Sequence, residues 1–227
     1  MTMKFSIIIP ALNEADTIQQ TLSSLQYLRQ SGHEIILVDG GSKDATNFIS
    51  RPLVNNIIIS ETGRAKQMNL GARMATGKIL LFLHADTLLP DNVDNIFTGI
   101  TKDSHWGRFD IKLSGTQKIY RLIEKMINLR SRLSGIATGD QAIFMTRDLF
   151  EKVNGFPEMP LMEDVAISKK LKEIHSPICL KEKVITSSRR WETRGIVNTV
   201  LLMWKLRLQY AIGIPPDKLL SQYEQQK

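Results

Sequence analysis

The chain has 227 residues, of which 42% are hydrophobic and 23% are charged. This composition is typical of a globular protein that buries a real core. The formal net charge of +7 attracts anions, which include phosphate-bearing substrates, acidic lipid surfaces and polyanions. An aromatic content of 7% does not suggest the base-stacking surface of a nucleic-acid-binding protein, so no nucleic-acid partner is expected.

Cysteine usage and hydropathy indicate the compartment. Cys179 is the single cysteine, which excludes an internal disulfide and suits a reducing environment. No cluster of cysteines and histidines surrounds it, so a zinc site is not expected. The N-terminal segment is too short for a signal-peptide core, and no run approaches the roughly 18 apolar residues of a transmembrane helix. These features predict a cytoplasmic protein.

The first ninety residues alternate between two kinds of pattern. Short apolar runs rich in β-branched residues predict strands over residues 5–9, 34–38, 57–60 and 79–83. Amphipathic spacing predicts helices over residues 17–30, 45–50 and 65–75. Strand, helix and strand in succession form right-handed βαβ units, which predicts a largely parallel sheet flanked by helices.

The pattern changes beyond Pro90. Strands are predicted over residues 107–113, 142–146 and 178–187, and helices over residues 92–99, 117–133, 147–153, 163–172 and 195–212. The strand at 107–113 alternates polar and apolar residues, which predicts one exposed face. The helix at 117–133 is basic, and one side of it carries the apolar residues Ile119, Leu122, Ile123, Met126 and Leu129.

The apolar run at 79–83 stops at His84 and Asp86. In an extended strand, residues separated by one position point to the same side of the sheet. Open α/β sheets bind ligands at the carboxyl ends of their parallel strands. Asp86 is therefore a candidate metal ligand with His84 beside it, and the alternative is that Asp86 caps the following turn.

Further polar residues follow the other predicted strands. Asp39 precedes two glycines, where the backbone comes close to a ligand, and its carboxylate suits a base N–H or a ribose hydroxyl. The alternative is a tight turn built from Asp and Gly. Arg64 and Lys66, just before a helix, suit a diphosphate or form a solvated surface pair.

Several common nucleotide-binding motifs are absent. The first strand is not followed by G-x-G-x-x-G, and the chain contains no G-x-x-x-x-G-K-[ST]. An aspartyl-phosphate mechanism needs a nucleophilic carboxylate ahead of a second acid, and the matching position is His84. Dinucleotide-binding, P-loop and aspartyl-phosphate sites are therefore not expected.

An ordered set of motifs resembles the family 2 glycosyltransferases of GT-A fold. The matching segments are 6–14 (SIIIPALNE), 38–46 (VDGGSKDAT), 64–69 (RAKQMN), 83–87 (LHADT), 139–141 (GDQ) and 163–164 (ED). The resemblance spans about the first 190 residues and implies a mostly parallel sheet flanked by helices. It divides the chain into a nucleotide-binding half (1–90), an acceptor half (91–190) and a C-terminal helical extension (191–227). It further implies a nucleotide-diphosphate sugar donor, a divalent cation (Mn²⁺ or Mg²⁺) and an inverting transfer to an unidentified acceptor hydroxyl.

The resemblance also assigns roles by position. Asp86 would be the metal-bound acid that closes the family's D-x-D motif, and His84 replaces the first acid of that motif. Asp164 would be the general base, and Glu163 its neighbour. The nucleotide-sugar site would comprise Pro10, Asn13, Glu14, Asp39, Arg64, Gln67 and Asp140.

The basic helix at 117–133 and the tail helix at 195–212 have several interpretations. They suit a peripheral contact at the inner face of a membrane, where a lipid-linked acceptor would be presented. Packing against the sheet, or against a second subunit in a homodimer, is the alternative. Arg189, Arg190 and Trp191 would close over the diphosphate or the acceptor, or form a plain basic surface.

Two other functions stay open from the sequence. A sugar nucleotidyltransferase shares the strand–helix alternation, but such enzymes usually carry a glycine-rich basic loop after the first strand, where Asn13 and Glu14 stand here. A non-catalytic basic protein that binds a nucleotide, RNA or a membrane would show salt-sensitive binding without a metal.

Overall fold

The computed structural model describes residues 4–98 and 105–224. Its strands are β1 (Phe5–Ala11), β2 (Glu34–Asp39), β3 (Asn56–Ile59), β4 (Ile79–Phe82), β5 (Thr87–Leu88), β6 (Trp106–Leu113), β7 (Phe144–Thr146) and β8 (Ile178–Thr186). Its helices are α1 (Ala15–Ser24), α2 (Gln26–Gln30), α3 (Thr46–Ser50), α4 (Arg64–Met74), α5 (Val93–Thr98), α6 (Lys118–Ser134), α7 (Arg147–Lys152), α8 (Glu163–Ile174), α9 (Arg189–Arg194), α10 (Ile196–Ala211) and α11 (Pro216–Glu224), with a 3₁₀ turn at Gly139–Gln141.

The strands form one eight-stranded sheet in the order β3-β2-β1-β4-β7-β6-β8-β5. The first four strands are parallel, with Ile7 of β1 opposite Ile35 of β2 and Leu81 of β4. β7 then runs antiparallel between β4 and β6, while β6 and β8 pair in parallel. The predicted α/β fold is confirmed, and the ends of β1, β2 and β4 share one edge of the sheet.

Both faces of the sheet are covered, so β1, β2 and β4 are buried along their whole length. Alternate residues point to opposite faces. Ile7 and Ile9 pack into the core that includes Leu22 of α1, whereas Ile8 packs into the core that includes Met68 of α4. Burial on both faces is why these strands read as continuous apolar runs.

β6 differs from the prediction of a half-exposed strand, which was wrong. Arg108 is fully buried and forms an ion pair with Asp110, while its Nη2 donates to the carbonyl of Asn128 at 3.2 Å. Arg132 of α6 pairs with the same carboxylate at 2.7 Å. Arg108 and Asp110 are thus neutralised inside the protein, and Lys112 is the one alternating polar residue of β6 that is exposed.

Helix α6 lies where it was predicted, but its polar side faces the sheet. Glu124 accepts a hydrogen bond from the backbone N–H of Leu113 at 2.7 Å, and Asn128 bonds both the N–H and the carbonyl of Ile111. Of the apolar residues predicted on one side, only Ile123 is buried. The exposed stripe of α6 consists of Ile119, Leu122, Met126, Leu129 and Leu133.

The C-terminal segment contains more helices than the one predicted. Gly195, at φ +76°, separates α9 from α10, and α11 begins at Pro216, a residue well suited to the first helical position. Leu206 of α10 and Leu219 of α11 pack with Met162, so this segment joins the rest of the protein through a small core of its own. None of the helices described is both long and apolar enough to cross a bilayer.

Candidate active site

The loop after β2 closes a hydrogen-bonded network with the loop after β1. Asn13, at φ +54°, donates its N–H to Ser42 Oγ at 2.8 Å and accepts from the N–H of Lys43 at 2.9 Å. Asp39 is buried and accepts from the N–H and the hydroxyl of Ser42 and from Asn47 Nδ2 at 2.8 Å. In this structure Asp39 therefore stabilises a tight turn, as one of its two interpretations from the sequence proposed. The turn holds the loops after β1 and β2 together.

Three more residues assigned to the nucleotide site lie around this network. Pro10 is buried in β1. Glu14 accepts from Thr17 Oγ1 at 2.9 Å and lies 3.4 Å from Arg189 Nη2. Gln67 is buried, and its Nε2 donates to the carbonyls of Ala11 and Val38 at 2.9 and 2.7 Å. Gln67 therefore links the ends of β1 and β2 through these two hydrogen bonds.

The segment after β4 is a turn and not an extension of the strand. The N–H of Thr87 donates to the carbonyl of His84 at 3.2 Å, so the strand alternation used to pair His84 with Asp86 does not apply. The His84 imidazole packs against Gly139, where an added Cβ would lie 2.4 Å from Nε2. Its buried Nε2 has no hydrogen-bond partner among the described residues.

Burial, reinforced by the positive charges of Arg64 and Arg190, lowers the pKa of His84 well below its usual 6.5. The imidazole is therefore neutral at pH 7, with a nitrogen lone pair available to a ligand.

Helix α8 presents the two acids of the ED motif at its first turn. Asp164 Oδ2 accepts from the N–H of Gly139 at 2.9 Å, and Oδ1 accepts from the N–H of Val165 at 2.7 Å. Glu163 Oε1 lies 3.5 Å from Arg64 Nη1. The 3₁₀ turn that carries Gly139 thus orients Asp164, while Glu163 holds Arg64.

Both acids are harder to ionise than usual. Burial raises the pKa of Asp164 against the two backbone hydrogen bonds and Arg64. Burial and the neighbouring Asp164 raise the pKa of Glu163 to about 7, against the opposing effect of Arg64. Paired acids with raised pKa values in a cleft are typical of catalytic sites.

A cavity of about 680 Å³ brings many of the assigned residues together. Its walls include Arg64, His84, Asp86, Asp140, Glu163 and Asp164. Asn13, Glu14, Asp39 and Gln67 do not line it. The cavity is completed by side chains that the sequence motifs do not identify, which come from α6, α10 and α11 and include Arg130, Met203, Trp204, Arg207 and Tyr223.

The donor atoms on this cavity suit a divalent cation that shares its ligands with a substrate. No group of three or more ligating side chains occurs among residues 4–98 and 105–224. Asp86 and His84 nevertheless line the same cavity, and the buried Nε2 of His84 has no partner among the described residues. An oxygen and an imidazole ligand are compatible with Mn²⁺ or Mg²⁺ if phosphate oxygens complete the coordination shell.

The fold is an α/β sheet with a polar cavity at one edge, and comparison with known proteins identifies the family. The model of the family described as "Glycosyl transferase family 2" matches residues 6–153, which is more than half of the chain. The chain therefore belongs to glycosyl transferase family 2, as the ordered motifs indicated.

Individual relatives agree with this family. A PGL/p-HBAD biosynthesis glycosyltransferase of Mycobacterium bovis is 41% identical over 92 residues, which cover 37% of this chain and 36% of the relative. The fragment 1–349 of S. aureus TarS in complex with UDP-GlcNAc has a TM-score of 0.66 at 22% identity, with 82% of this chain and 58% of the fragment covered. The mannosyltransferase PcManGT from Pyrobaculum calidifontis, in complex with GDP-Man and Mn²⁺, has a TM-score of 0.66 at 19% identity over 91% of this chain and 61% of its own. These structures show the fold, and the chain spans only part of each relative.

Proposed function

We propose that this protein is an inverting glycosyltransferase that moves a sugar from a nucleotide-diphosphate donor to an acceptor hydroxyl. The observation that carries the proposal is the convergence of Arg64, Asp86 and Asp164 on one cavity. Membership of family 2 supports the reaction class, and complexes of neighbours with UDP-GlcNAc and with GDP-Man and Mn²⁺ support the donor class and the use of a cation.

The donor would bind at the edge of the sheet where β1, β2 and β4 end. The base and ribose would lie against the loops held by Asn13 and Asp39, and Asp140 would lie near the sugar. Arg64 is 46% exposed at its side chain, so its guanidinium can reach a diphosphate while Glu163 keeps it oriented. Its positive charge would stabilise the charge that develops on the leaving nucleoside diphosphate. Asp86 and His84 would hold the divalent cation, which when bound supplies further neutralisation of that leaving group.

Asp164 would act on the acceptor. Two backbone N–H groups fix the orientation of its carboxylate, and burial makes it a stronger base than an exposed aspartate. The acceptor oxygen would attack the anomeric carbon from the face opposite the leaving group, as Asp164 takes its proton, and the configuration would invert.

A titration tests donor class and metal need together. We expect UDP or GDP to bind by isothermal calorimetry with Mn²⁺ and more weakly without it, and Asp86→Ala to remove that difference. The absence of binding for every nucleoside diphosphate would overturn the proposal. Metal-independent, salt-sensitive binding that ignores Asp86→Ala would instead indicate a non-catalytic basic protein.

The proposal includes a peripheral contact with an anionic membrane. The exposed stripe of α6 is flanked by a basic row, because Lys118, Arg121, Lys125 and Arg132 each precede a stripe residue by one position. Helix α10 exposes a second stripe at the same spacing, Val197, Leu201, Trp204, Leu208 and Ile212. Apolar residues beside a basic row are typical of helices that lie in an acidic lipid interface.

Vesicle binding tests this surface. We expect co-sedimentation with vesicles that contain phosphatidylglycerol and not with pure phosphatidylcholine, and we expect Leu122→Ser with Leu129→Ser to abolish it. If that double variant instead converts a dimer to a monomer in size-exclusion chromatography and vesicle binding is absent, the stripe is a homodimer interface and the membrane contact is wrong.

A further inference from the structure

The side of the cavity lined by α6, α9 and α10 contains a second group of cations. Arg130 of α6, Arg194 of α9 and Arg207 of α10 all line it. Within residues 4–98 and 105–224, none of the three has a carboxylate within 4.0 Å of its guanidinium. Positive charge is thus concentrated in this part of the cavity without a matching acid in contact.

These arginines also leave donors unused inside the protein. Nε and Nη2 of Arg130, Nη1 of Arg194 and Nε of Arg207 are buried and have no hydrogen-bond partner among the described residues. A buried donor without a partner is unfavourable, because it has given up its hydrogen bonds to water and gained none in return. Burial also lowers the pKa of Arg130 against the raising effects of Asp140 and Asp164, which shows how poorly that charge is solvated.

Other arginines of this protein are satisfied differently. Arg147 donates to the carbonyls of Ala72, Ala75 and Gly77, and Arg121 donates to two backbone carbonyls and pairs with Glu124 at 2.7 Å. These arginines therefore find acceptors within the fold. Arg108 has one buried nitrogen without a partner, Nε, but its Nη1 and Nη2 donate to Asp110 and to the carbonyl of Asn128. The three cavity arginines lack them, which indicates that their acceptor oxygens come from a ligand.

An apolar wall adjoins these cations. Met126 and Ile127 of α6 and Val200, Met203 and Trp204 of α10 line the same cavity. Met126 and Trp204 are also 45% and 61% exposed, so each belongs both to the cavity wall and to an exposed stripe. The apolar lining is therefore continuous with the surface that faces away from the sheet.

From these contacts we infer that the acceptor is an anionic amphiphile, whose phosphate binds Arg130, Arg194 and Arg207 and whose apolar part lies against the wall of α6 and α10. This inference rests on the proposed function, since it names the acceptor class of that site. Arg130, Asp140 and Asp164 line the same cavity, so a phosphate held by the arginines shares that cavity with the proposed base. The arginines would thus position a nearby hydroxyl for Asp164 to deprotonate.

The test uses the full chain, saturated with UDP and Mn²⁺, and three probes below any micelle-forming concentration. Trp191 and Trp204 line the cavity, so a ligand bound there should change the tryptophan fluorescence. Isothermal calorimetry measures the same binding independently. We expect dodecyl phosphate to bind at least about 10-fold more tightly than either other probe. Dodecyl maltoside lacks the charged oxygens that accept from the arginines, and inorganic phosphate lacks the chain that covers the apolar wall.

Charge-matched variants locate the site. Arg130→Gln and Arg207→Gln should each weaken dodecyl phosphate binding about 10-fold. Lys205→Gln removes the same charge from an exposed position of α10 and should leave binding unchanged. Melting temperatures would verify that each variant is folded, and Arg207→Gln serves if Arg130→Gln is not.

The opposite results are equally clear. If dodecyl maltoside binds as tightly as dodecyl phosphate, the site is apolar only. If inorganic phosphate binds as tightly as dodecyl phosphate, the ligand is a water-soluble phosphate. Either result would overturn the inference of an anionic amphiphile. Binding of dodecyl phosphate only when UDP is left out would assign the arginines to the donor and refute the inference. If UDP binds and dodecyl phosphate does not, this inference alone fails, whereas failure of UDP itself removes the proposed function.

Discussion

The proposed nucleotide edge around Asp39 and the proposed acceptor side around Asp164 differ in how their polar groups are satisfied. At the nucleotide edge, Asn13, Asp39 and Gln67 bond to one another's loops and strands. On the acceptor side, His84 Nε2, Asp140 Oδ1 and several arginine nitrogens have no partner in the described part of the chain, and two acids have raised pKa values.

This difference indicates where the chemistry is concentrated. Around Asp39 most polar groups bond within the fold, with the buried Asn47 Oδ1 as an exception, so this region is rigid and can serve as a preformed platform for a nucleotide. A region with unmatched buried charge is less favourable in the free protein and gains most when a ligand supplies the missing groups. The acceptor side should therefore be the more sensitive to substitution, pH and ligand.

Removal of the base should have the largest effect. Asp164→Asn keeps the size of the side chain but cannot accept a proton, so we expect turnover to fall about a thousandfold, within the range of general-base catalysis. Initial rates with the donor and an acceptor extract would measure it, with UDP binding and melting temperature as controls. Wild-type turnover would show that Asp164 is not the base.

Loss of the candidate metal ligand should be the next in size. Asp86→Ala removes a carboxylate from the cavity, and we expect transfer to be abolished or reduced about a hundredfold, because metal-assisted charge neutralisation contributes several kcal/mol. The exposed Asp91→Ala is the matched control. Equal metal dependence of UDP binding in the wild type and Asp86→Ala would place the cation elsewhere.

The raised pKa of Glu163 predicts a pH-dependent stability. Glu163 ionises near pH 7 in the folded protein and near 4.5 when unfolded, so the unfolded state loses its proton first as pH rises. The stability present below pH 4.5 is thus progressively lost up to about pH 7, by at most about 3 kcal/mol.

Glu163→Gln lacks this titration. Between pH 4.5 and 8, its melting temperature should therefore rise by several degrees relative to that of the wild type. Parallel melting curves across this range in scanning fluorimetry would contradict the raised pKa.

The contact between His84 and Gly139 should give the smallest effect. Gly139→Ala places a Cβ against the buried imidazole, which should cost about 1–3 kcal/mol of unfolding free energy. In a His84→Ala background the space is available, so the same substitution should cost little. A double-mutant cycle by thermal melting measures this coupling, and additive effects would mean that the two residues do not constrain each other.

Sequence patterns were sufficient for the nucleotide half of the fold. The runs at β1, β2 and β4 are apolar because both faces of the sheet are covered, and such runs identify buried parallel strands directly. The ED pair was also placed at the start of a helix, as α8 has it. Local pattern and local structure agree here because a strand buried on both faces needs an apolar side chain at nearly every position.

The same reasoning was wrong where a polar residue was satisfied within the protein. Alternation in β6 suggested solvent on one face, but Arg108 is neutralised by Asp110 from its own strand. The stripe of α6 was visible in the sequence, yet nothing in it showed that Glu124 and Asn128 would face the sheet and leave the apolar side exposed.

The sequence by itself therefore determined the class of fold, the family and the acids that stand at strand and helix ends, since these depend on short-range patterns of burial and spacing. Tertiary structure alone decided that Gly139 orients Asp164, that His84 is buried without a partner, and that arginines from α6, α9 and α10 meet in one cavity. Those features depend on residues far apart in the chain, and no local pattern specifies which of them will be brought together.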